Sequence, residues 1–175
     1  MNKREIDAAL YRVSLGDNEA FGRLYEETRR GVYAFLFSYF NNSCDCEDAV
    51  QTTYLKIKTN ISHYQKGTNG LAWILQIAKN VALSELRKKK SDGKRLDNYI
   101  ESEETVSEPQ YKGEIIDLMK RTLDEDEQRI VILHAVWDYK HKEIAEMLNC
   151  PTGTVTSKYK RAVDKMKKAW KEGNR

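Results

Sequence analysis

Thr154, Ser157, Lys158 and Arg161 follow one another at intervals of three, one and three residues. On a helix of 3.6 residues per turn this spacing gathers two short hydroxyls and two cations on one side, with Lys160, Lys165, Lys167 and Lys168 around them. Short hydroxyls can meet base edges in a DNA groove, and the longer cations behind them can reach bases or phosphate oxygens. A second set, Asp45, Glu47 and Asp48, is anionic and falls in what reads as the first turn of a helix, where the helix dipole favours negative charge. The other reactive side chains form no constellation. Cys44, Cys46 and Cys150 are an odd number of thiols and build no disulfide framework, and His63, His134 and His141 are scattered rather than set at zinc-site spacing. No nucleophile motif, phosphate-binding glycine loop or HExxH stretch is present. The pattern therefore argues against an enzyme and implies no cofactor and no metal, with the cysteines as ordinary thiols.

The hydroxyl and cation face belongs to the segment YKHKEIAEMLNCPTGTVTSKYKRAVDKMKKAW, residues 139–170. Ile144, Ala145 and Leu148 form the inner stripe of a short helix. Asn149 to Thr152 make a break, and Val155, Tyr159, Ala162, Val163 and Met166 stripe a second helix. This is a helix-turn-helix pattern, in which small Ala145 allows a close crossing. Pro151 is expected to stop the first helix and Thr152 to cap the second. Stripe, turn and polar face agree in register, which favours DNA recognition over a merely solvated basic helix. Upstream, Gly113 to Leu123 and Glu125 to Trp137 read as two helices, with Asp124 and Glu127 in capping-box relation and Ile130, Val131, Leu133 and Val136 as core.

The first half is helical too. Ile6, Leu10 and Val13 predict a short helix. Asp17 is placed to cap a long one through about Tyr39, with Phe21, Leu24, Tyr25, Val32, Phe35, Leu36 and Tyr39 near one face. Asn41 and Asn42 break the pattern, and Ser43 is expected to cap the next helix, whose inner side is Val50, Tyr54, Leu55 and Ile57. The polar stretch 62–69 reads as a loop. From Leu71 to about Lys90 the spacing returns, with Leu71, Ile74, Leu75, Ala78, Val81 and Ala82 inward and Arg87, Lys88, Lys89 and Lys90 closing the helix. Trp73 continues the apolar stripe with Ile74 and reads as core.

Only two prolines and nine glycines occur in 175 residues. No run is apolar enough to span a bilayer, and the N-terminal stretch has no signal-peptide pattern, so a soluble, cytoplasmic protein without membrane insertion is expected. The net charge of +3 is unevenly spread: residues 1–95 hold 16 Lys/Arg against 11 Asp/Glu, residues 96–129 hold 4 against 11, and residues 130–175 hold 10 against 5. Basic blocks suit phosphate backbones, whereas an acidic middle suits solvent or a basic protein surface. Residues 92–112 lose apolar periodicity and read as a linker. The expected fold is all-α: two small helical domains, 1–91 and 113–175, joined by an acidic flexible linker, the second containing the helix-turn-helix.

The phrase KEIAEMLNCPTGTVTSKYKRAVDKMK resembles the region-four helix-turn-helix of extracytoplasmic-function sigma factors, whose common form is close to EEIAxxLgxpxGTVxSRxxRAxxxL. CDCEDAVQTTYLKI is similar to the family's DAEDLVQETFLxxW segment in region two, and GLAWILQIAKNVALSELRKKK to its fxxWLxxIArNxxxDxxRrxxr segment. Departures are Asp138 where glycine is usual, Lys140 for a capping Ser or Thr, Lys158 for arginine, Ser84 for a frequent Asp, and Cys46 and Ala49 for small and larger apolar residues.

The resemblance implies an RNA polymerase sigma factor that directs promoter recognition, promoter opening and transcription initiation at a stress- or signal-responsive regulon. Its implied partners are core RNA polymerase through the β′ and β subunits, promoter DNA and a cognate anti-sigma factor. It implies core docking by Asp45, Glu47, Asp48 and Gln51, and capture of an unpaired minus-ten base by Tyr64, Lys66, Asn69 and Asn80, with Lys79, Arg87 and Lys88 on the strand backbone. Thr154, Ser157, Lys158 and Arg161 would read the minus-thirty-five element, and the linker would thread a basic polymerase channel. The competing readings are a free-standing helix-turn-helix regulator and a helical protein-interaction module.

Overall fold

The computed structural model describes residues 1–40, 42–93 and 114–173, and every regular element among them is helical. The chain divides into two compact units, one holding the helices of the first half and the other those of the second. Most of the expected linker lies outside the described residues; its first two positions, 92 and 93, continue a helix instead. No described helix is long and apolar enough to cross a membrane.

Four helices build the first unit: α1 (Lys3–Ser14), α2 (Asn18–Phe40), α3 (Ser43–Thr59) and α4 (Gly70–Gly93), with a short 3₁₀ turn at Ile61–His63. Asp17 caps α2 as its position predicts, its Oδ1 accepting the Ala20 N–H at 2.9 Å. The cap of α3 is Asn42 rather than Ser43: Asn42 Oδ1 accepts the Asp45 N–H at 2.9 Å, and Ser43 is already the first helical residue. Ile6, Leu10, Leu24, Leu36, Ile57, Leu71, Ile74 and Leu75 are almost wholly buried and join the four helices in one core. Hydroxyls inside that core are satisfied locally: Thr28 donates to the Leu24 carbonyl and bonds the Tyr54 hydroxyl at 2.7 Å, and Thr53 donates to the Ala49 carbonyl. Cys46 and Ala49 are buried, so at both departures the short side chain sits where α3 packs inward. Leu55, expected inside, is 65% exposed, because α3 turns it away from its neighbours in this unit.

The second unit holds α5 (Glu114–Thr122), α6 (Glu125–Ala135), α7 (His141–Leu148) and α8 (Thr152–Gly173). The capping box at the head of α6 is formed, Asp124 Oδ1 accepting the Glu127 N–H at 2.8 Å and Glu127 Oε2 accepting the Asp124 N–H at 3.2 Å. Helix α6 stops at Ala135, two residues before the expected end, and leaves Val136 exposed rather than in the core. The chain then turns through Asp138 at φ 52°, a left-handed conformation that glycine adopts without strain, which explains the glycine usual at this position. At the head of α7 only half a capping box forms: Glu143 accepts the Lys140 N–H at 2.7 Å, and the lysine side chain has no oxygen to return the bond.

Helix α7 is ended by Asn149, not by Pro151. Asn149 takes the left-handed conformation (φ 52°, ψ 52°), its N–H donates to the Glu146 carbonyl at 3.3 Å, and the Cys150 N–H reaches back to the Ala145 carbonyl at 3.0 Å. This is a Schellman closure, which asparagine tolerates better than most residues. Thr152 is the first residue of α8 rather than a cap outside it. Ala145, Ile144, Val155 and Ala162 are buried where α7 and α8 cross.

Candidate nucleic-acid interface

Helix α8 carries the predicted groove-reading face, and the structure divides that face into two kinds of residue. Thr154 and Ser157 are exposed, with Ser157 donating to the Gly153 carbonyl at 2.8 Å along its own helix. Lys158 and Arg161 instead lean on the head of α6. Lys158 Nζ lies 2.5 Å from Asp126 Oδ2, and Arg161 Nε donates to Glu127 Oε1 at 3.0 Å. The Lys158 hydrogen bond holds the Asp126 carboxyl below its ordinary value of 3.8, and the same bond raises the lysine.

Glu127 is the centre of this arrangement. Its side chain is fully buried and accepts from Lys165 Nζ at 2.9 and 2.7 Å as well as from Arg161. Burial alone would raise its carboxyl; the Lys165, Asp124 and Arg161 hydrogen bonds outweigh that and hold it below 4.5. Spacing finds the capping box but not this second task, because Glu127 lies 34 residues from Arg161 and 38 from Lys165. Thr156 and Lys160 are exposed between the predicted positions, and Thr156 also accepts from His141 Nδ1 at 3.1 Å. The exposed outer face of α8 thus includes Thr154, Thr156, Ser157 and Lys160. Lys158 and Arg161 are oriented by α6.

In the first unit, the residues predicted for an unpaired base spread over the loop before α4 and the exposed side of that helix. Lys66 is exposed, with its ammonium 3.9 Å from the centroid of the Tyr11 ring. Asn69 is exposed and caps α4, its Oδ1 accepting the Ala72 N–H at 3.1 Å. Asn80 is exposed and accepts from Gln76, and Lys79 is half-buried one position before it. Arg87 and Lys88 are exposed near the end of α4, Arg87 donating to the Leu83 carbonyl and Lys88 pairing with Glu85 at 2.7 Å. Tyr64 does not offer its ring to a base in this conformation. It is 8% exposed, its centroid lies 5.2 Å from that of Trp73, and its hydroxyl bonds the Asp7 carboxylate. Burial and that bond push the phenol up to about 12, so it remains a donor at neutral pH.

The acidic set at the head of α3 separates similarly. Asp45 is half-buried, accepting from Asn42 Nδ2 at 2.6 Å and pairing with Lys89 of α4 on the wall of a shallow groove. Burial would raise its carboxyl, and the Lys89 and Asn42 bonds bring it below 3.8. Glu47 is half-exposed, whereas Asp48 and Gln51 are exposed and share that groove with Phe40, Thr52 and Leu55. The exposed Leu55 places an apolar side chain beside an acid and an amide, the mixture found at protein interfaces. No cluster of three or more metal-ligating side chains occurs among the described residues.

Comparison with known proteins assigns each unit. The sigma-70 region 2 family model matches residues 24–91, and the sigma-70 region 4 model matches residues 113–166. The chain is 25% identical to the RNA polymerase sigma factor CarQ of Myxococcus xanthus over 161 residues, covering 87% of this chain and 90% of that protein. It is 23% identical to the ECF RNA polymerase sigma factor SigW of Bacillus subtilis over 183 residues, covering 93% and 95%. Among solved structures, the sigma factor RpoE in complex with the anti-sigma factor NepR from Bartonella quintana shares the fold at a TM-score of 0.64 and 24% identity, over 86% of this chain and 96% of that one. CnrH in complex with the cytosolic domain of CnrY does so at 0.63 and 16%, over 96% and 98%. Two helical units, matched in order by regions 2 and 4 of one family, place this chain in the sigma-70 family as an extracytoplasmic-function RNA polymerase sigma factor.

Proposed function

We propose that this sigma factor docks on core polymerase through the exposed side of α3, with Asp48 and Gln51 as its polar contacts and Leu55 one turn beyond Gln51. The observation carrying this reading is that these three side chains stay exposed on a helix whose other face is core, while Asp45 is occupied by Asn42 and Lys89. A basic partner fits the acid, and an apolar one fits the leucine. Core polymerase, through its β′ and β subunits, is the proposed partner, and the chain acts with it in the cytoplasm.

In this reading α4 and the loop before it meet the minus-ten element. Lys66, Asn69 and Asn80 face an extruded base, Lys79, Arg87 and Lys88 face the strand backbone, and Tyr64 shapes the loop from inside. Binding an unpaired base favours the open duplex, so binding energy rather than catalysis by this chain performs the opening. Helix α8 enters the major groove of the minus-thirty-five element with Thr154 and Ser157 at base edges and Lys158 and Arg161 beside them. The similar sigma factor RpoE, solved with the anti-sigma factor NepR, supports a cognate anti-sigma factor as the regulatory partner.

Reconstituted transcription with sigma-free core polymerase on fragmented genomic template tests the reading. The protein is expected to bind core and start promoter-specific transcripts. Asp48→Arg should weaken core binding about ten-fold or more while leaving the second unit folded. Absence of both core binding and specific transcripts would overturn the function; unchanged core affinity in Asp48→Arg would overturn the docking face.

A further inference from the structure

Helix α1 lies before the region 2 match, which begins at residue 24, yet one of its faces is committed to the loop before α4. Asp7, Leu10 and Tyr11 stand at i, i+3 and i+4 and each meets that loop or the residue after it. The Asp7 carboxylate accepts the Tyr64 hydroxyl, and it accepts the Gly67 N–H at 3.2 Å on Oδ1 and 3.4 Å on Oδ2. The Lys66 ammonium lies over the Tyr11 ring. At Gly70 an added Cβ would come within 2.8 Å of Leu10 Cδ1, 2.9 Å of the Tyr64 hydroxyl and 3.3 Å of Asp7 Cα, so α1 and the head of α4 approach as closely as glycine allows.

These contacts fix the backbone of the loop while leaving its rim open. Tyr64 is held inward against Trp73, and Gly67 adopts φ +85°, a left-handed turn whose N–H points at Asp7. Thr68 closes the turn, its hydroxyl donating to the Gln65 carbonyl at 2.7 Å. Gln65, Thr68 and Asn69 remain exposed. One carboxylate on another helix thus ties the inward side chain to the backbone of the tightest point of the loop.

We infer that Asp7 is a positioning residue for base capture: by taking the Tyr64 hydroxyl and the Gly67 N–H, it holds the rim at 65–69 in the shape that receives an extruded base. The inference rests on reading this loop as the minus-ten pocket. Preorganisation of that kind governs selectivity between bases more than adhesion to the strand, because the backbone charge that attracts DNA is unchanged.

The test uses the full chain bound to core polymerase and a pool of single-stranded DNA ten-mers with every position randomised, read by sequencing the bound fraction. Asp7→Ala should reduce the preference at one position about ten-fold while affinity for the pool as a whole changes less than about two-fold, with core affinity unchanged. Asp7→Asn keeps an Oδ1 acceptor and should retain most of the preference, a rescue that loss of general packing would not give. Tyr64→Phe removes one bond while leaving the ring on Trp73 and should give an intermediate loss. If Asp7→Ala selects like the parent while Gln65→Ala loses preference, the role of Asp7 is overturned and the loop reading stands. If both select like the parent, the loop does not hold the base and both readings fall. Should Asp7→Ala not fold, parental selectivity in Tyr64→Phe overturns the inference.

Discussion

Glu127 combines a fully buried side chain with a negative charge, which is costly unless partners replace water on its oxygens. Arg161, Lys165 and the Asp124 N–H supply those partners, so one residue both closes the head of α6 and orients two cations of α8. Glu127→Ala removes the acceptor of the Asp124 N–H and releases Arg161 and Lys165 to solvent, and should cost the second unit about 1 to 2 kcal/mol, measured by urea unfolding followed through Trp137 and Trp170. The pH dependence has a definite sign. A carboxyl held below 4.5 in the folded state contributes its full stability above that value and loses it as pH falls through the lowered one. Acid unfolding of the second unit should therefore steepen below about pH 4.5 in the parent. In Glu127→Gln that component should be absent; an unchanged acid profile would show that Glu127 does not govern it.

At the scale of elements, α6, α7 and α8 are joined by rings as well as by ions. His134, His141 and Tyr159 form a cluster with centroids 4.6 to 5.1 Å apart, and His134 Nδ1 bonds the Tyr139 carbonyl at 2.8 Å. Thr156 donates its hydroxyl to the Thr152 carbonyl and so accepts from His141 Nδ1, which leaves His141 Nε2 buried with no acceptor among the described residues for a second proton. Burial first, and the neighbouring His134 second, hold His141 below 6.5. The unfolded chain then binds that proton more readily than the folded one, so stability is greatest above 6.5 and declines as pH falls below it. The thermal midpoint of the second unit should drop between about pH 7.5 and 5.5, and His141→Gln should reduce that drop; equal drops would remove His141 from the cause. This cluster also shows where sequence reading stops. The stripes of α2, α4 and α8 are legible because a period of 3.6 is local, and the helix-turn-helix follows from stripe, break and polar face in register. The scattered histidines give no sign of meeting, Leu55 and Val136 continue stripes that no partner in their unit covers, and Asn149 ends α7 by a left-handed turn that Pro151 hides. Tyr64 has an aromatic ring suited to stacking on a base, and Asp7 of α1, 57 residues earlier, together with Trp73 of α4 holds it inward.

For the whole molecule, the basic blocks at 1–95 and 130–175 make phosphate attraction the common part of every DNA contact. The ion pairs decide which charges are available to it. Lys160 is exposed on the outer face of α8, whereas Lys158 is already matched by Asp126. Binding to a random-sequence duplex of about 30 base pairs isolates the electrostatic part, since log K falls with log salt by about 0.9 for each phosphate neutralised. Lys160→Ala should lower that slope by about 1, while Lys158→Ala should change it less. Lys158→Ala should instead relax the head of α6 by uncoupling Asp126 from α8. If the two variants lower the slope equally, Lys158 exchanges Asp126 for a phosphate on binding, and the pair is a resting contact that DNA displaces.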